Sequence, residues 1–156
     1  MEQTTINPEE LWLNTPDSPT LFRGGSNGPA HPSQLYAIKK YHKSGDTFLD
    51  YGCGSATTVE AWMKDPNPPS WYYGGVDIIP KNIAWCKENF PAFDFEVNKS
   101  IHKIDQPDQS WDTVYSRHVV DHMESFEKAM DEHKRVAKKL VIVILWVGFS
   151  NGDEHE

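Results

Sequence analysis

Residues 50–56, Asp50-Tyr51-Gly52-Cys53-Gly54-Ser55-Ala56, have the composition of a ligand-binding turn. Two glycines at this spacing let the main chain turn sharply and let a ligand approach it with no Cβ in the way. Alone, Gly-x-Gly is equally compatible with a plain strand-to-helix turn. Asp50 narrows the chemistry. A carboxylate at the mouth of the loop repels a pyrophosphate and suits a ligand carrying an ammonium group. Its alternative role is to accept loop N–H groups as a turn carboxylate. No Gly-Lys-Ser/Thr ending follows, which excludes a P-loop. Asp77, in Gly75-Val76-Asp77-Ile78-Ile79, lies 23 residues beyond Gly54. An acid about that far along, at the end of the next strand, accepts hydrogen bonds from ribose hydroxyls. Ile78 beside it offers an apolar surface to a base. The alternative for Asp77 is a turn residue before the helix opened by Pro80.

Other residues carry weaker signals. His118 and His122, in His-Val-Val-Asp-His, are four apart and would share one face of a helix. That spacing suits zinc, but no motif supplies a third ligand. A packed or hydrogen-bonded histidine behind the fourth strand is the simpler reading, with a catalytic base as the other. Arg23 has the bidentate fork that pairs with a ligand carboxylate, and an exposed, solvated arginine is the alternative. Trp12, Tyr36, Trp146 and Phe149 either wall a pocket or pack in the core. Cys53 and Cys86 form neither a Cys-x-x-Cys pair nor a zinc spacing, so both read as buried reduced thiols.

The elements that would position these residues follow from the pattern. Residues 1–32 form an arm rich in Pro, Asn, Thr and Gly, with a short helix at residues 8–13. A domain follows over residues 33–156. Helical spacing of Leu35, Ile38 and Tyr41 predicts a helix over residues 33–43. Strands are expected at 47–50, 71–78, 93–97, 111–115 and 140–147, with helices at 55–63, 80–89 and 124–137. Strands alternating with helices imply βαβ units and a mostly parallel sheet. The expected fold is an α/β doubly wound, Rossmann-like three-layer αβα sandwich. Residues 140–147 are continuously apolar, as in a strand buried on both faces. The chain has 156 residues, one domain's worth, and a net charge of -8. That charge disfavours a nucleic-acid backbone or an anionic membrane as partner. No secretory signal or membrane-length apolar run is visible, so a cytoplasmic location is expected.

Within this frame the sequence resembles the class I S-adenosylmethionine (SAM) dependent methyltransferases, in particular those similar to methyltransferase type 11 domains, over residues 35–147. Residues 48–56 resemble the family's acid-plus-glycine first motif, with Ala56 in place of a third glycine. Residues 74–79 resemble its second motif, and residues 98–123 the stretch through the third and fourth strands. The resemblance implies SAM as cofactor. It implies that Asp50, Gly52, Cys53, Gly54, Asp77, Ile78, Ser100, Ile101 and Ser116 bind it; Arg23, outside the matching stretch, is the candidate for its carboxylate by side-chain chemistry alone. Ser100 falls where many members have an acid toward the adenine amino group, and the Ile101 backbone would share that role. Near Ser116 and Arg117 a backbone contact is implied. The expected activity is methyl transfer to a small-molecule acceptor, with no catalytic residue and no metal nominated. The alternatives are a SAM- or nucleoside-binding module without turnover and, third, an NAD-dependent oxidoreductase domain. Family domains continue beyond the fifth strand, so the chain reads as truncated there. An exposed fifth-strand edge prone to self-association is the expected consequence.

Overall fold

The computed structural model describes residues 7–15, 32–68 and 70–145. Its centre is β1 (Thr47–Tyr51), whose alternating side chains serve both faces of the sheet. Phe48 packs on one side with α2 (Pro32–Tyr41), α3 (Thr57–Met63) and α4 (Pro80–Asn89), through Ile38, Val59, Trp62, Ile83 and Cys86. Leu49 and Tyr51 face the opposite side, with Val114, Ile104 and Val136 of α5 (Phe126–Val136). Both clusters are apolar because each face of a parallel sheet must be covered.

The other strands are β2 (Tyr72–Asp77), β3 (Asp94–Val97), β4 (Trp111–Arg117) and β5 (Ala137–Ile144). All pair in parallel, in the order β3-β2-β1-β4-β5. The order reverses between β1 and β4, which opens a crevice at their carboxyl ends. The fold is the expected Rossmann-like sandwich. A short helix, α1 (Pro8–Leu13), precedes these elements and is capped by the Asn7 side chain, which accepts the Glu9 N–H. Packing also explains a glycine of the second motif: a Cβ on Gly74 would lie 2.4 Å from the Trp111 ring.

Most elements differ by one to three residues at an end from the sequence reading, and two of these shifts matter for the site and the sheet edge. β5 begins at Ala137, three residues earlier than expected, directly after α5. Its polar start is held by Lys139, whose Nζ lies 2.9 Å from Asp46 and 3.1 Å from Asp112. Apolarity marks only the part of this strand over the core. Nor is β5 buried on both faces; Ile142 alone is buried, as befits a strand at the edge of the described sheet. β4 runs two residues further than expected, so Ser116 and Arg117 end the strand rather than follow it. Among the described residues no helix is long and apolar enough to cross a membrane.

Candidate functional site

The glycine loop is tied to the end of β2. The N–H groups of Gly52 and Cys53 both donate to the Val76 carbonyl, at 2.8 and 3.0 Å. Gly52 and Gly54 adopt φ of +74° and +53°, the left-handed region that glycine enters without strain. A Cβ on Gly52 would also meet Val119 at 2.3 Å. Ala56, at the third glycine position, is left-handed as well, with φ 57°, and its methyl is fully buried. Burial of that methyl offsets part of a conformational cost of about 1 kcal/mol.

Asp77 fills the turn role and also lines the cavity. Its Oδ2 accepts the Gly54 N–H at 2.9 Å and its Oδ1 the Ile79 N–H at 2.8 Å. Asn82 Nδ2 lies 3.5 Å from Oδ1. The carboxylate therefore staples the glycine loop to the start of α4, and it lines the cavity as well. Burial raises its pKa, opposed by the two backbone donors.

Asp50 lies at the base of the cavity, 2% exposed, with Oδ2 accepting the Tyr73 hydroxyl at 2.8 Å. Burial pushes its carboxyl up to about 6, opposed by the Tyr73 and Thr58 hydroxyls and the Arg117 charge. It is a carboxylate costly to ionise, next to a cavity. That is the setting in which a ligand cation gains most. Cys53 is buried; burial first, then Cys86, raises its thiol. Its side chain packs in the core cluster with Phe95 and Cys86, and the residue lines the cavity.

The opposite wall is built from the end of β4. Ser116 does not line the cavity. Its hydroxyl is fully buried against α5, donating to His133 Nε2 at 2.9 Å, while His133 Nδ1–H donates to the Ala129 carbonyl at 2.6 Å. Strand alternation instead places Arg117, one residue on, in the cavity wall. His118 and His122 do not share a helix face. His118 has φ 56°, and only Val120–His122 forms a turn of 3-10 helix. Both histidines line the cavity, and the Trp12 ring of α1 packs edge-on against His122 at 4.9 Å.

The loop after β3 completes the enclosure. Ile101 lines the cavity; Ser100 does not, and its hydroxyl donates to Glu9 Oε2 of α1 at 3.1 Å. The cavity has a volume of about 490 Å³. It brings together Asp50, Gly52, Cys53, Gly54, Asp77, Ile78 and Ile101 from the sequence candidates, with Trp12 as a wall and Arg117 at the edge, and adds Thr58. Arg23, Trp146 and Phe149 lie outside the described residues. Glu9 and Tyr73 carried no sequence signal, because their contacts are with residues 23 or more positions away.

A family model described as the methyltransferase domain matches residues 49–145, more than half of the chain. The chain belongs to this methyltransferase family. Its fold is shared with a SAM-dependent methyltransferase from Aquifex aeolicus, at 21% identity and TM-score 0.65, over 85% of this chain and 73% of that one. A protein from Methanococcus maripaludis assigned as an S-adenosyl-L-methionine-dependent methyltransferase matches at 17% identity and TM-score 0.65, over 91% and 66%. A Haloferax volcanii structure, a complex of the Trm112 methyltransferase activator with a methyltransferase-like protein, matches at 17% and TM-score 0.63, over 83% and 55%. Two of these three are thus matched over less than two-thirds of their own length.

The cofactor of this methyltransferase domain is S-adenosylmethionine. The residues present suit it: a buried carboxylate for an ammonium group, a second acid at the end of β2, and a glycine loop that exposes main chain to a cavity of adequate size.

Proposed function

We propose that this methyltransferase domain transfers the methyl group of SAM to a small-molecule acceptor, with the cofactor bound across the β1–β4 crevice. The observation that carries the proposal is the Asp50–Gly52–Gly54 loop laced through Asp77 into one cavity. In this reading Asp77 receives the ribose hydroxyls on the remaining lone pairs of its carboxylate, and Ile78 packs on the adenine. Gly52, Cys53 and Gly54 present main chain to the methionine portion. Asp50 takes the ammonium group. Ile101 meets the base, and Ser100 acts behind it. When bound, SAM supplies an electrophilic methyl group. The protein's own contribution is to hold it in line with the acceptor and to exclude water. Trp12, Val119 and Met123 supply the apolar cover for that exclusion.

Calorimetric titration with SAM, S-adenosylhomocysteine and NAD tests the ligand class. The adenosyl compounds should bind and raise the melting temperature by mass action, and NAD should bind far more weakly. Equal or better binding of NAD would sink the proposal. Radiolabelled methyl transfer to a panel of small acceptors separates turnover from binding alone.

Arg117 takes, in this reading, the carboxylate role that Arg23 was expected to fill. It stands in the cavity wall and interacts electrostatically with Asp50, so acid and base face the zwitterionic end of methionine together. Arg117→Met should weaken S-adenosylhomocysteine by about tenfold. Methylthioadenosine, which lacks the zwitterion, should be unaffected. Equal losses for both ligands would show that Arg117 only shapes the wall.

The edge of β5 is proposed as a site of self-association. No described residue pairs with its outer side, and Leu145 just beyond it is exposed. Free strand N–H and C=O groups template pairing with another copy. Light scattering should show concentration-dependent association, and a monomer at every concentration would refute it.

A further inference from the structure

We propose that Cys53 and Cys86 form a dithiol site for hydroperoxides, which join the pair in a disulfide, and that the linked chain binds SAM more weakly; the second part rests on the cofactor reading above. Cys53 sits between the two glycines of the loop, and Cys86 lies on α4. Both thiols are free and buried. Both point at one atom. The Cys86 thiol donates to the Gly54 carbonyl at 3.3 Å, and the Cys53 thiol reaches the same oxygen at 3.9 Å. The two thiols also hydrogen-bond each other. Neighbours fix the seat of the Cys53 sulfur. A Cβ on Gly75 of β2 would lie 3.0 Å from it and 2.8 Å from the Phe95 ring, so sulfur and ring fill the notch that the glycine leaves.

Access separates the two roles. Cys53 lines the cavity and keeps 5% exposure, whereas Cys86 has none. A hydroperoxide entering the empty cavity therefore meets Cys53 first. The Cys53 thiolate attacks one peroxide oxygen and the O–O bond breaks. The displaced oxygen takes a proton and leaves as water or an alcohol, and Cys53 becomes a sulfenic acid. The Cys86 sulfur then attacks the Cys53 sulfur. An S–S bond forms, the S–O bond breaks, and the hydroxyl leaves as water with the Cys86 proton. The thiol pair has lost two electrons, which reduce the hydroperoxide. Burial first, then Cys86, Asp77 and Asp50, raises the Cys53 thiol. Thiolate is the reactive form, so the first step is slow at neutral pH and quickens as pH rises.

The link changes the glycine loop. It removes both S–H groups, so the Gly54 carbonyl loses both thiol donors. The Gly54 N–H remains tied to Asp77 Oδ2. A second tie to α4 then pulls on the same short stretch of main chain that faces the methionine portion. A bound cofactor fills the cavity and shields Cys53.

The test adds hydrogen peroxide to the reduced full chain and follows intact mass and peptide mapping. The chain should lose two hydrogens and yield a peptide linking Cys53 to Cys86. Its affinity for S-adenosylhomocysteine, by calorimetry, should fall about tenfold and recover with dithiothreitol. Prior addition of S-adenosylhomocysteine should slow the link. Cys86→Ala should bind S-adenosylhomocysteine as wild type does and should lose no hydrogens with peroxide. Wild-type chain in which both thiols stay free to alkylation overturns the proposal. So does a linked chain of unchanged affinity. A loss of affinity that dithiothreitol does not reverse overturns it as well, and places the damage at a methionine, Met123 of the cavity wall first. Reduced wild-type chain that binds no S-adenosylhomocysteine overturns the cofactor reading and the second part with it, while mass still decides the link.

Discussion

Asp77→Ala is expected to reduce SAM affinity by roughly a hundredfold and to lower stability by about 1–3 kcal/mol. The two losses have different origins. The stability loss comes from the Gly54 and Ile79 N–H groups, which keep no partner once the carboxylate is gone. Removing a buried charge returns part of that, because burial already disfavours the ionised form. The affinity loss is larger because it combines the ribose bonds with the staple that shapes the glycine loop. Asp77→Asn separates the two. Its amide oxygen can still accept one N–H, so the loop is partly retained, while the charge toward the ribose is lost. Titration of both variants, with their denaturation curves, checks this. Unchanged SAM binding by Asp77→Ala would reduce Asp77 to the turn residue that its sequence context also allows.

The second large effect is on pH. Asp50 ionises near 6 in the folded chain, against an ordinary value of 3.8. Its contribution to stability is therefore fully present below 3.8 and is lost as pH rises through about 6. Ligand binding runs the other way. An ammonium group favours the ionised carboxylate, so SAM should bind tightest above pH 6 and lose about tenfold by pH 5. Binding below pH 6 should release a proton, measurable by calorimetry in two buffers of different ionisation enthalpy. Arg117, Tyr73, Thr58 and Asp77 also act on Asp50, so the control is Asp50→Asn in the same site. That variant should bind more weakly at pH 7 and show a flat profile between pH 5 and 7. A slope that survives in Asp50→Asn would place the titrating group elsewhere, with the cavity histidines as the next to substitute.

The parallel α/β architecture and most of the first and second motifs are legible in the sequence alone. Gly52, Gly54, Asp50 and Asp77 are constrained locally, by left-handed turns and by strand ends, and local constraints leave a mark in residue type. The Ser116 side chain turns away from the cavity because strand alternation, not proximity in sequence, decides which of two neighbours faces it. One step along β4 turned Ser116 toward His133 and Arg117 toward the ligand space. The histidine pair failed for a related reason: the left-handed His118 breaks the helical geometry that a four-residue spacing assumes.

Residue type and spacing by themselves determined the sheet, its parallel sense and the chemistry of the glycine loop, because backbone geometry and side-chain periodicity are properties of neighbours in the chain. Only the tertiary structure decided the electrostatics and the closure of the site. The Asp50 carboxyl is raised because the fold buries it, and Tyr73, 23 residues away, opposes that shift with its hydroxyl. Glu9 reaches the loop after β3 across 91 residues of sequence because α1 lies over the mouth of the sheet. Contacts of that range are set by how layers pack, and no pattern along the chain encodes them.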